Sequence, residues 1–66
     1  MNILVNGEET CIDDQLDLAA LIRGMSLEGS RYAAEVNEEL IPRSEHASYK
    51  LHEGDAVEIV QAIGGG

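Results

Sequence analysis

The sequence predicts an α+β domain, one β-sheet with a single main helix packed on one face. Three observations predict it. Asn6-Gly7 lies between two short strand-like runs and is the strongest two-residue hairpin signal. Leu18, Leu21, Ile22 and Met25 recur at i, i+3, i+4 and i+7, the stripe of a helix resting on a sheet. Strand character then resumes at 32–36 and again at 56–61. The order is strand, strand, helix, strand, short strand, strand, with the last strand expected beside the first.

In the first run Ile3 and Val5 share one face, and Asn2, Leu4 and Asn6 share the other. A type I′ turn at Asn6-Gly7 needs φ > 0 at both positions and returns the chain antiparallel through 8–12. Asp13-Asp14-Gln15 breaks the pattern. Asp17 suits the N-cap of the helix, where its carboxylate accepts from free amides and opposes the dipole. Leu16 and Leu21 then occupy the two positions of a hydrophobic staple. Gly24 is placed to end the helix in a left-handed conformation after about two turns.

Residues 27–31 read as a connecting loop. Tyr32, Ala34 and Val36 fall on one side of the next strand, and Asn37-Glu38-Glu39 turns the chain. Leu40-Ile41 is a short strand closed by Pro42, which cannot donate to a ladder. Residues 44–48 suit an irregular or 3-10 turn, 49–51 a brief edge strand, and Glu53-Gly54-Asp55 a turn. Ala56-Val57-Glu58-Ile59-Val60-Gln61 is the final strand.

Composition sets the outer bounds. Sixty-six residues allow one domain that buries only about 60% of its unfolded surface. Leu, Ile and Val contribute 17 residues, enough for a folded core despite a net charge of −9. With no Trp or Phe, those aliphatic residues must fill the interior. Four Lys plus Arg against 13 Asp plus Glu disfavour nucleic acid and anionic membrane surfaces. The same balance suits either a basic protein partner or a merely well-solvated surface. A single cysteine excludes an intramolecular disulfide. No apolar run reaches the roughly 20 residues of a membrane span, and Met1 leads straight into an alternating strand, so a cytoplasmic setting is expected.

Candidate chemistry inside the domain is thin. Cys11, His46 and His52 lack zinc spacing and read as polar surface residues, so no metal site is expected. Cys11 near a strand end is an ordinary half-buried side chain rather than a nucleophile, having no evident base. Asp13-Asp14 and Glu38-Glu39 lie at turns, where carboxylates are solvated. The glycines cannot form a phosphate loop, since no helix or Lys-Ser/Thr follows them. An enzyme is not expected.

The terminus remains. Ile63-Gly64-Gly65-Gly66 follows the last strand directly. A triple glycine has no face to bury and loses much backbone entropy on ordering. It reads either as a floppy end or as a thin arm able to thread a channel with the carboxylate of Gly66 at its tip. In the second reading a partner converts the carboxylate to an acyl-adenylate with ATP, and sulfur displaces AMP to leave a thiocarboxylate.

The residues that support the second reading extend beyond the tail. Met1-Asn2-Ile3-Leu4-Val5-Asn6-Gly7, Val36-Asn37-Glu38-Glu39-Leu40-Ile41-Pro42-Arg43, Leu51-His52-Glu53-Gly54-Asp55-Ala56-Val57-Glu58-Ile59-Val60 and the terminal glycines together resemble the sulfur carrier proteins of thiamin biosynthesis, the ThiS family. Residues 16–29 carry little of this. The resemblance implies a ubiquitin-like β-grasp fold, a mixed sheet of four to five strands with one main helix on one face and a flexible C-terminal tail. It implies a head at 1–63 and a tail at 64–66. It implies that Gly66 is the reactive residue, Gly65 its obligatory neighbour, and Gly64 a residue of reach only.

The partners so implied are an adenylyltransferase related to ubiquitin-activating enzymes, which uses ATP, a persulfide sulfur donor, and thiazole synthase. This chain itself would bind no cofactor. Alternation adds a docking patch. If Val57 and Ile59 face the helix, Val60 and Ala62 face away, Leu4 lies beside them, and Ile63 extends the patch to the tail. Two alternatives stay open: the small sulfur-carrying subunit of molybdopterin synthase, and a ubiquitin-like modifier or protein-binding module.

Overall fold

The computed structural model describes residues 1–25, 27 and 31–61. Five strands and one helix form it: β1 (Asn2–Val5), β2 (Glu8–Cys11), α1 (Leu18–Arg23), β3 (Tyr32–Val36), β4 (Glu39–Ile41) and β5 (Ala56–Gln61). The sheet order is β2-β1-β5-β3-β4. β1 runs parallel to β5, while β2, β3 and β4 each run antiparallel to a neighbour, so the sheet is mixed. As expected, the last strand lies beside the first.

Two turns of one kind set the registers at either side. Asn6 and Gly7 have φ of 51° and 84°, and Val5 pairs with Glu8 across them. Asn37 and Glu38 have φ of 53° and 69°, and Val36 pairs with Glu39. The second turn is therefore two residues rather than the three expected, and Glu39 already belongs to β4. Asn37 fixes it from outside the ladder: its Nδ2 donates to Asp55 Oδ1 at 3.0 Å, and its Oδ1 accepts from Ala56 N at 3.0 Å.

The helix begins as expected. Asp17 Oδ1 accepts from Ala20 N at 2.7 Å, which satisfies one of the unpaired amides of the first turn. It ends differently. Gly24 has φ −72° and stays right-handed, and Met25 N donates to Ile22 O at 2.9 Å. The last carbonyls find amides by tightening the helix, so no left-handed residue is required. The expected edge strand at 49–51 does not form either. Leu18 N donates to Tyr49 O and Leu51 N to Leu16 O, both at 2.9 Å, so the segment pairs with the chain entering α1.

Leu18 and Ile22 from the helix meet Ile3, Ala34, Val36, Ile41 and Val57 from the sheet, together with Leu51. The 3-10 turn Arg43–Ser48 packs against α1. His46 is its inward residue, only 5% exposed, and its Nε2 donates to Ile41 O at 3.0 Å. Sequence reasoning placed His46 on the surface. The turn directs it inward, where the carbonyl of a buried strand end offers it a partner. No helix is long and apolar enough to cross a membrane among the described residues.

Candidate functional site

β5 is the element that carries the chain toward its terminus. On one side it pairs with β3 from Val36↔Val57 to Tyr32↔Gln61, all but its first residue. On the other side β1 stops at Val5, and Asn6 takes over: its N–H donates to Val57 O, and its Oδ1 accepts from Ile59 N, both at 2.8 Å. The amide oxygen thus stands where a next strand residue would be. The base of the tail is held to its last described residue, Gln61. Ala62, Ile63, Gly64, Gly65 and Gly66 lie outside the described residues.

Face assignment follows the expected alternation. Val57 is buried and Ile59 half-buried toward the helix, while Val60 points to the open face at 56% exposure. The register separates Leu4 from it. β1 does flank β5, but Leu4 pairs with Ala56, four residues before Val60, a separation of about 13 Å along the strand. The parallel ladder is short because β1 ends at the hairpin, so Leu4 has no counterpart near the end of β5.

One exposed residue was missed. Leu40 is 63% exposed and sits on the open face opposite Glu35, which in turn pairs with Glu58. The signal was present in the sequence as alternation with Ile41, which is buried. Leu4, Leu40 and Val60 are therefore interleaved with Glu9, Glu35 and Glu58 rather than gathered into one apolar surface.

Where β4 ends, Arg43 lies over the Tyr32 ring, with its guanidinium carbon 4.2 Å from the centroid. The His46 ring stacks against Tyr32 at 6.3 Å and 28°. Since Tyr32 also pairs with Gln61, this cluster adjoins the base of the tail. Cys11 is exposed, not half-buried, because β2 is an edge strand whose outward residues meet solvent. Among the described residues no three His, Cys, Asp or Glu side chains converge as metal ligands.

Comparison with known proteins agrees with this architecture. The model of the ThiS family matches residues 3–66. A thiazole synthase of Paramagnetospirillum magneticum is 35% identical over 66 residues, which is all of this chain but 20% of that protein's length. The uncharacterized protein ycf40 of Porphyra purpurea is 34% identical over 67 residues, covering all of this chain and 93% of that protein. The crystal structure of the thiamine biosynthesis protein ThiS of Geobacter metallireducens superposes with a TM-score of 0.83 at 29% identity, over the full length of both chains. With a mixed five-stranded sheet, one helix on its face and a family match that runs through the final glycine, this chain belongs to the ThiS family of ubiquitin-like β-grasp proteins of thiamin biosynthesis.

Proposed function

We propose that this chain is a sulfur carrier whose C-terminal carboxylate is the working group, and that it serves as a protein cosubstrate rather than a catalyst. One observation carries the reading. In a chain of this family, β5 is ladder-paired through Gln61 and is followed at once by a sequence ending Gly64-Gly65-Gly66. The head, 1–63, fixes the base, and the tail, 64–66, supplies a terminus that no side chain obstructs.

The chemistry proceeds in balanced steps. An adenylyltransferase joins the Gly66 carboxylate to the α-phosphorus of ATP and releases pyrophosphate, which turns a poor electrophile into a mixed anhydride. A persulfide on a donor protein then attacks the carbonyl carbon, and AMP leaves. The resulting acyl disulfide is cleaved by a thiol, which is oxidised to a disulfide as the thiocarboxylate is released. Thiazole synthase takes the sulfur from it. The similarity between this chain and one segment of a protein named thiazole synthase supports that partner.

Val60, Ala62 and Ile63 form the docking surface nearest the tail, with Leu4 a separate contact further along the open face. Intact-mass measurement after incubation with adenylyltransferase, ATP and a persulfide donor tests the reading. One oxygen replaced by sulfur, localised to Gly66, is the expected result. A chain lengthened by one bulky residue after Gly66 is expected to remain unmodified, and equal modification of it defeats the proposal. Isopeptide adducts on lysines of other proteins would instead identify a modifier.

A further inference from the structure

Resting on that reading, we propose that Arg43 is a specificity-determining contact, which receives a carboxylate on the rim of the adenylating partner's entrance. The molecule is strongly acidic, yet among the described residues no carboxylate lies within ion-pair distance of Arg43. The only such pair there joins the Met1 ammonium to Asp14 at 3.4 Å. The same holds for Arg23, Arg31 and Lys50, so what sets Arg43 apart is where it is seated.

Arg43 is restrained by its platform instead. Its guanidinium carbon stands 4.2 Å above the Tyr32 ring centroid, and Tyr32 is backed by the buried His46. Cation–π attraction holds the guanidinium there, and a guanidinium matches a carboxylate in bidentate fashion. Beside it lies a shallow pocket of about 160 Å³, whose lining includes Ala33, Leu40 and Pro42 together with Arg43. A mostly apolar pocket with Arg43 in its lining fits a side chain that carries a carboxylate on a methylene stem.

Position argues for the rim rather than the nucleotide. Tyr32 pairs with Gln61, so Arg43 lies at the base of the tail. The five residues that follow Gln61, fully extended, span up to about 18 Å. With the tail extended into the partner's pocket, a phosphate that meets Gly66 there lies beyond the reach of Arg43. The anion it meets belongs to the surface through which the tail enters.

The test compares Arg43→Gln, Arg43→Lys and Lys50→Gln in steady-state adenylation, after thermal melts establish that each is folded. For Arg43→Gln the KM for the carrier is expected to rise about tenfold with kcat within about twofold, and the difference to shrink at high salt. Arg43→Lys keeps the charge but loses the fork, so it should fall between the two. Lys50→Gln, at the segment paired with the start of α1, should leave KM unchanged. An unchanged KM in Arg43→Gln, or an equal rise in Lys50→Gln, overturns the inference while leaving the sulfur-carrier reading intact. Failure of the unmodified chain to be adenylated at all would overturn the latter instead.

Discussion

Glu38 sits at φ 69° in the turn between β3 and β4, a conformation that costs a residue with a Cβ about 1–2 kcal/mol. Glycine relieves that cost and loses part of the gain to its greater freedom in the unfolded chain. Glu38→Gly should therefore raise unfolding free energy by about 0.5–1 kcal/mol in urea titration, with Glu38→Gln as the control for lost charge. A lower midpoint would show that the turn does not carry this strain. Tyr49 gives a second prediction at this scale. Burial, followed by the Asp55 and Glu39 carboxylates, holds its phenol above the ordinary 10.0. The folded state thus binds the phenolic proton more tightly than the unfolded state. Its contribution to stability is complete below pH 10.0 and is lost as pH rises from there through the raised value. Wild type should lose stability more steeply than Tyr49→Phe in that range; parallel losses would refute the assignment.

At the scale of the element, α1 is too short to persist by itself and depends on what holds its ends. Asp17 supplies the N-terminal hold through Ala20 N, and Tyr49 O takes the amide of Leu18. Asp17→Ala is expected to cost about 1 kcal/mol by chemical denaturation, with Asp17→Asn recovering most of it. Equal losses in both variants would mean that charge rather than the cap hydrogen bond is responsible. The N-cap was legible because a side-chain acceptor just before an apolar stripe is a local signal. The helix end was not. Gly24 permits a left-handed residue without requiring one, and the choice was made by amides supplied from its own last turn. Residues 49–51 show the same limit. Their extended character was readable, but their partner was the entry to α1, more than thirty residues earlier.

For the molecule as a whole, the sheet does two separate things. Its inner face buries the aliphatic core against α1, and its outer face with the end of β5 carries the proposed docking surface. Val60 is half-exposed on that outer face near the tail, so Val60→Asp should change stability by less than about 1 kcal/mol while slowing adenylation. Leu4→Asp, about 13 Å away along the sheet, should slow it less. Equal effects would restore a single patch spanning both residues, and unchanged kinetics in Val60→Asp would remove the patch altogether.

Patterns within the chain were enough to establish the class of the fold, the opening hairpin, the helix start, the inward and outward residues of β1, β3 and β5, and the family. These are local signals: turn chemistry, alternation with period two, a cap beside a stripe, and conspicuous blocks of residues. Tertiary structure alone decided that Leu4 stands beside Ala56 rather than Val60, that His46 turns inward beneath Tyr32, and that Arg43 is laid on that ring beside the base of the tail. Register and stacking join segments distant in the chain. Their geometry is fixed by which backbone groups and side chains meet after the core closes, and no local pattern encodes that.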